Sequence, residues 1–148
     1  MSKPRYRAVQ HGGSADDVEA AFYEALQTSD IEQMMACWAD EDDIVCVLPG
    51  NPRLVGATAI RSGFTNLFAG GTVYARPERL RKVESLGSAV HNVLERVDLV
   101  TNESTRQVWL VATNVYFKTA QGWRLVAHHA SSGQNEAAEA TQSGQVLH

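Results

Sequence analysis

The sequence of 148 residues is poor in several features that define common protein classes. It has two cysteines and four prolines, too few for a disulfide framework or a collagen-like chain. Its apolar runs last a few residues, whereas a membrane-spanning helix needs about 20. The formal charge is −4 with no basic stripe, which argues against nucleic acid as a partner. With these classes excluded, the sequence predicts one domain with a sizeable core and no membrane partner.

The two ends of the chain differ in composition from its middle. Residues 1–13 carry three lysines and arginines but no apolar segment, so they predict a flexible basic leader rather than a secretory signal. Residues 134–148 contain almost nothing apolar and predict a mobile polar tail. We therefore expect a single domain over residues 14–133 and a cytoplasmic location.

Cys37 and Cys46 both lie inside apolar segments. We interpret them as reduced core thiols, in preference to a disulfide, a zinc site or a nucleophile. The spacing of histidines and cysteines predicts no metal site. The sequence also has no phosphate-binding loop and no dinucleotide fingerprint, so no cofactor is expected.

Three helices are predicted in the first half of the chain. Ser14 suits an N-cap, and apolar residues recur after it at helical spacing. Ser29 stands three residues before Glu32, which predicts a capping box at the start of a second helix. A third amphipathic pattern follows Gly56 and ends at the glycine pair 70–71.

Extended segments dominate the remainder. Residues 44–48 are a short apolar run that predicts a buried strand. Four longer segments with short breaks between them predict an antiparallel meander. They span residues 72–86, 88–100, 105–119 and 122–132. The order of elements predicts an α+β fold in which three helices pack on one face of a curved, mainly antiparallel sheet.

Three stretches of the sequence carry a family resemblance. They are Trp38 to Ile44, the motif Pro49-Gly50-x-x-x-Leu54-x-Gly56 followed by Ala59-Ile60, and Gly122 to Ser132. Taken together, they resemble the NTF2-like superfamily, and within it the SnoaL-like proteins allied to the association domain of calcium/calmodulin-dependent kinase II. The resemblance implies a cone-shaped fold that closes around an apolar pocket. It also implies acid–base chemistry without a cofactor, as in ketosteroid isomerase.

Two catalytic candidates follow from this resemblance. Asp43, at the mouth of the first strand, corresponds to the base of the isomerase, with a solvated acidic loop as the alternative. His128 and His129 are neighbours on a strand and point to opposite sides, and the resemblance to the kinase association domain implies that His128 faces the cavity and His129 the outer face. An imidazole near its own pKa can act as an acid or base, with a structural histidine as the alternative. Relatives often carry histidine at the positions of Leu48 and Ala127 in this chain.

A second set of residues is expected to bind the ligand: Tyr23, Trp38, Glu95, Asn114 and Arg124. The tyrosine and tryptophan come from helices that cover the cavity in relatives. Glu95 and Arg96 interrupt an apolar strand, so one of them is expected to face the cavity, with a salt bridge as the alternative. Strict alternation puts Arg124 on the face of His128, and Leu125 on the face of His129.

Two functions of different class remain open. The first is binding of a small apolar or amphipathic ligand, with cofactor-independent isomerase, lyase or cyclase chemistry in the apolar pocket. The second is an oligomerisation module similar to the kinase association domain. Residues 105–119 carry apolar side chains on both faces, and three short helices can cover one face. We therefore expect a homodimer through the outer face, including His129 and Ser131.

Overall fold

The computed structural model describes residues 13–100 and 104–133, with the backbone alone for Leu99 and Val100. The predicted leader, apart from Gly13, and the predicted tail lie outside the described residues.

The three predicted helices are present, and we number them in chain order. Helix α1 spans Ala15–Thr28, α2 spans Ile31–Ala36 and α3 spans Ala57–Ala69. Ser14 caps α1 as expected, since its Oγ accepts a hydrogen bond from the Asp17 backbone N–H at 3.1 Å. None of the helices in the described part of the chain has the length and apolarity that crossing a membrane requires.

The predicted capping box at Ser29 is wrong. Asp30 is the N-cap of α2, and its side chain accepts a hydrogen bond from the Gln33 backbone N–H. Ser29 instead ends α1 in the left-handed conformation, with a φ of 53°. A residue that must reverse the chain at the end of one helix cannot also take the extended conformation of an N-cap, so the cap falls one residue later.

Six strands form one sheet in the order β2-β1-β6-β5-β4-β3. Their bounds are Val45–Val47, Leu54–Val55, Tyr74–Glu84, Ser88–Val100, Thr105–Thr119 and Gly122–Ser132, for β1 to β6 respectively. The last four form the predicted antiparallel meander. The pairing of β1 with β6 is parallel, and β2 was not expected from the sequence. The α+β arrangement is therefore confirmed.

The core lies between the helices and one face of the sheet, which we call the inner face. Phe22 of α1 packs edge-on against Phe64 of α3, with ring centroids 6.1 Å apart. On the sheet, Val93, Ala112 and Leu125 are fully buried on the inner face. Burial of these aromatic rings against aliphatic strand residues removes apolar area from water and stabilises the fold.

A β-bulge in β6 changes which side chains face the core. Val115 of β5 pairs with Ala127, but Tyr116 pairs with Leu125, so Val126 is an extra residue on β6. Two residues on one strand then oppose one on the other, and the alternation shifts at that point. Leu125 and His128 consequently both lie on the inner face and are buried. The expectation that Leu125 lies on the outer face with His129 was wrong.

The junction of α1 and α2 yields a stability prediction. Ser29→Gly should stabilise the protein by about 1 kcal/mol, because glycine adopts the left-handed conformation without the penalty of a Cβ atom. Asp30→Ala should destabilise it by about 1 kcal/mol through loss of the cap. Urea unfolding of the two variants measures both changes. Effects of the same sign would contradict the assignment of these roles.

Candidate functional site

Seven polar side chains are buried between α1 and the inner face of the sheet, and we call them the buried polar cluster. They are Glu19, Tyr23, His91, Glu95, Asn114, Tyr116 and His128. Buried polar groups must find partners within the protein, because water no longer satisfies them. The cluster is therefore a network rather than a set of isolated side chains.

Strand register explains why these residues meet. His91 of β4 lies directly opposite Asn114 of β5, and Asn114 lies directly opposite His128 of β6. The three side chains form a row across the sheet. Helix α1 contributes Glu19 and Tyr23, which lie four residues apart and so share the helix face that covers this row.

The first half of the cluster is a chain of hydrogen bonds that begins at Glu95 and ends at His128. Tyr23 Oη donates a hydrogen bond to Glu95 Oε2 at 2.6 Å. Asn114 Nδ2 donates to Tyr23 Oη at 3.2 Å, and Asn114 Oδ1 lies 2.5 Å from His128 Nδ1. These short contacts connect four residues on α1, β4, β5 and β6, and they fix the orientation of the Glu95 carboxyl group.

The second half of the cluster centres on Glu19. Its Oε2 atom accepts a hydrogen bond from Tyr116 Oη at 3.2 Å and lies 3.0 Å from His91 Nδ1. Asn114 Nδ2 reaches the same oxygen at 3.4 Å. Asn114 thus links both halves, because one amide nitrogen contacts Tyr23 and Glu19 together.

Burial shifts the pKa values of Glu95 and His128, the two groups at the ends of this hydrogen-bonded chain. Loss of hydration raises the pKa of Glu95 to about 7, even though the hydrogen bond from Tyr23 opposes this shift. Loss of hydration lowers the pKa of His128 to about 3, with a smaller contribution from His129. Near neutral pH the Glu95 carboxyl group is therefore close to half-ionised, and the His128 imidazole is neutral.

An apolar cavity adjoins both Glu95 and His128. It encloses about 260 Å³ between α1, α3, the turn after β1 and the inner face. Phe22, Phe64 and Leu110 are among its apolar lining residues. Glu95 and His128 are the two ionisable side chains in that lining. The cavity therefore places one carboxyl group and one imidazole in otherwise hydrophobic surroundings.

Of the expected ligand-binding residues, Tyr23, Glu95 and Asn114 belong to the cluster that contains His128. As expected, His128 is buried, whereas His129 is exposed. Of the pair that interrupts β4, Glu95 faces inward, and Arg96 lies 3.4 Å from Glu78 in an ion pair.

Three expected site residues lie elsewhere. Asp43 is exposed and lines a groove of about 680 Å³ with outer-face residues such as Val115 and Phe117. Trp38 forms a bridge to Leu125 and lies against the start of α3 rather than in the cavity. Arg124 lies opposite Phe117 on the outer face. The bulge at Val126 reverses the regular alternation that would have placed Arg124 on the face of His128.

The cysteines contribute no reactive group to this site. Cys37 and Cys46 are free and buried, as the sequence predicted. Burial raises the pKa of each thiol to about 12, so both stay protonated near neutral pH. In the described part of the chain, no group of three or more His, Cys, Asp or Glu side chains is arranged to hold a metal ion.

Sequence reasoning missed Glu19 and gave no role to His91. Both are buried, and they contact each other across 72 positions of sequence. A local signal for Glu19 existed, since it lies one helical turn before Tyr23 on the apolar side of α1. His91 shares the inner face of β4 with Glu95, four positions away.

Comparison with known proteins identifies the family. A model of the SnoaL-like domain matches residues 16–134. No curated protein matches the sequence. Because the family model covers most of the chain, this protein belongs to the SnoaL-like family, and the resemblance drawn from the sequence is confirmed.

Solved structures agree with this assignment. A protein from Thiobacillus denitrificans, described as a calcium/calmodulin-dependent protein kinase type II association domain, has 31% identity and a TM-score of 0.74, with 82% of this chain and 96% of that chain covered. A protein of the NTF2-like family from Streptomyces avermitilis, described as a dehydratase, has 23% identity and a TM-score of 0.72, with 84% and 97% covered. An NTF2-like protein from Novosphingobium aromaticivorans has 14% identity and a TM-score of 0.70, with 90% and 89% covered. The NTF2-like cone fold is therefore confirmed.

Glu95 and His128 should affect stability in opposite directions as pH changes. The pKa of Glu95 rises from 4.5 to about 7 on folding, so the folded state binds more protons in this window and loses stability as pH rises through it. The pKa of His128 falls from 6.5 to about 3, so the folded state loses stability as pH falls through that window.

Two variants separate these contributions. The free energy of unfolding of Glu95→Gln, relative to wild type, should rise between about pH 4.5 and 7, by up to about 1.4 kcal/mol per pH unit. That of His128→Asn, relative to wild type, should fall between about pH 3 and 6.5. Urea unfolding at a series of pH values measures both. Differences that stay constant across these windows would contradict the assigned pKa values.

Proposed function

We propose that this protein binds a small, largely apolar molecule in the cavity and moves a proton on it with Glu95, as a cofactor-independent isomerase, lyase or cyclase. One observation carries the proposal: Glu95 is 3% exposed, lines an apolar cavity and accepts a hydrogen bond from Tyr23. A carboxylate with a raised pKa in such surroundings is suited to general acid–base catalysis near neutral pH.

The reaction consistent with this site is a reversible proton transfer at carbon. Ionised Glu95 takes a hydrogen ion from a carbon next to a carbonyl group, and the electron pair moves to the carbonyl oxygen to form an enolate. The protonated carboxyl group then returns the hydrogen ion to the same or another carbon. Tyr23 holds the carboxyl oxygen Oε2 throughout, so the second oxygen is the one oriented for the transfer.

His128 has a different role in this proposal from the one its sequence position indicated. Its pKa of about 3 keeps the imidazole neutral, so it orients the ligand by hydrogen bonding and does not exchange protons near pH 7. The cavity volume of about 260 Å³ is below the roughly 300–1,000 Å³ typical of sites for drug-sized molecules. A ligand of about one ring is therefore the size that fits.

Exchange of carbon-bound hydrogen tests this proposal. The probe is 2-hydroxycyclohexanone, a single ring with a removable hydrogen next to its carbonyl group, incubated with the protein in D₂O. Wild type should accelerate deuterium incorporation, with a rate that rises with pH to a plateau around a midpoint near 7. Glu95→Gln should lower the rate by about 100-fold or more. NMR spectroscopy measures the exchange.

Two further variants sharpen this experiment. Tyr23→Phe removes the hydrogen bond that lowers the pKa of Glu95, so the midpoint of the rate profile should move to higher pH. Asp42→Asn removes an exposed carboxylate outside the cavity lining and should leave the profile unchanged. Equal rates for wild type and Glu95→Gln would refute the role of Glu95.

The outer face supports a second proposal, that two copies associate through the sheet. Phe117 is 47% exposed and Val90 is 38% exposed, and both lie among apolar residues on strands β4 and β5. Exposed apolar side chains on a sheet face favour burial against a partner. The Thiobacillus relative with 31% identity is described as an association domain. Association of this sort is compatible with ligand binding in the inner cavity.

Sedimentation of the full chain tests the outer-face proposal. The protein should sediment at about twice its chain mass of 16.2 kDa at micromolar concentration. Phe117→Glu puts a charge on the outer face and should shift the mass to that of one chain. Leu86→Glu, at a 97% exposed position in the turn between β3 and β4, is the matched control and should leave the dimer intact. A wild-type protein that stays monomeric would exclude the dimer.

A further inference from the structure

The hydrogen-bond order of the cluster and the charges around the cavity assign a chemical class to its ligand. We propose that the cavity selects a ring-sized molecule that donates hydrogen bonds, such as a hydroxyl or amine compound, and excludes carboxylates and phosphates. This inference rests on the proposed function of the cavity and adds the substrate class.

The first step is the direction of each hydrogen bond. The Tyr23 hydroxyl donates its one proton to Glu95 Oε2, so Tyr23 Oη acts as the acceptor for Asn114 Nδ2. The amide oxygen of Asn114 therefore faces His128 and acts as an acceptor. Consequently the proton of the neutral imidazole lies on Nδ1 of His128.

The second step follows from the tautomer of His128. A neutral imidazole with its proton on Nδ1 has a lone pair on Nε2 and can there only accept a hydrogen bond. Glu95, when ionised, is also an acceptor. Both ionisable side chains that line the cavity are thus acceptors, and a ligand that satisfies them must bring the donors.

The third step concerns charge. Among the described residues that line the cavity there is no lysine or arginine. Arg124 lies opposite Phe117 on the outer face of the sheet, and Arg96 forms an ion pair with Glu78. Asn51, the remaining polar lining residue, is exposed and neutral, and it donates one of its two amide hydrogens to the Pro49 carbonyl at 3.0 Å. An anionic ligand would lose its hydration without gaining a cation and would lie near Glu95, which is strongly unfavourable.

Four single-ring probes of similar size test the inference: toluene, phenol, benzylamine and benzoate. Each is titrated at pH 8, where Glu95 is mostly ionised, into the full chain, and binding is followed by NMR spectroscopy. Phenol or benzylamine should bind at least about tenfold more tightly than toluene and benzoate, as expected for a hydrogen bond to a charged acceptor. The tighter of the two identifies the donor as a neutral hydroxyl group or a cation.

Variants assign the effect to the cavity. Glu95→Gln offers an amide in place of the carboxylate, so it should lose the preference for benzylamine by about tenfold and bind benzoate more tightly than wild type does. Asp42→Asn should change neither the preference for benzylamine nor the affinity for benzoate. Thermal unfolding of each variant verifies that the fold is kept.

The outcomes separate this inference from the proposed function. Benzoate binding as tightly as phenol and benzylamine, or all four probes binding alike, would overturn the donor class while leaving the cavity as a ligand site. Absence of binding by every probe, toluene included, would contradict the proposed ligand site itself. A preference for benzylamine that persists undiminished in Glu95→Gln would also overturn the inference.

Discussion

The hydrogen bond from Tyr23 to Glu95 is the interaction on which the inner face depends. A carboxyl group buried without a partner would cost several kcal/mol, and the phenol hydroxyl removes much of that cost. The same bond ties helix α1 to strand β4, across the interface that contains the core. Stability and candidate chemistry therefore rest on one contact. It holds a buried carboxyl group, whose pKa is about 7, in one orientation.

Asn114 allows the two halves of the cluster to coexist. A side-chain amide both donates and accepts, so this residue can contact the Tyr23 hydroxyl with its nitrogen and His128 with its oxygen. A carboxylate in its place would present acceptors alone, and an ammonium group would present donors alone. The tautomer of His128, and hence the character of the cavity wall, follows from this amide.

The bulge at Val126 separates two surfaces that regular alternation would have mixed. It turns His128 and Leu125 together toward the helices and places Arg124 on the outer face. The cavity wall thereby lacks a guanidinium group that the sequence pattern had assigned to it. One extra residue in a strand thus keeps the guanidinium group of Arg124 out of the cavity wall.

The sequence by itself determined the helices, the meander and the family, because caps, glycine stops and alternating hydrophobicity act over a few residues. It also indicated that His128 is buried and that Glu95 or Arg96 turns inward. The cluster was decided by tertiary structure, since its contacts to helix α1 join positions 72 to 97 residues apart. Such contacts depend on strand register, on the bulge and on the packing of α1, none of which local patterns encode. The family resemblance placed Asp43 and Trp38 in the site, but tertiary packing leaves Asp43 exposed and puts Trp38 against the start of α3. Arg124 was misplaced because regular alternation assigns a face, whereas the bulge in β6 decides where the side chain lies.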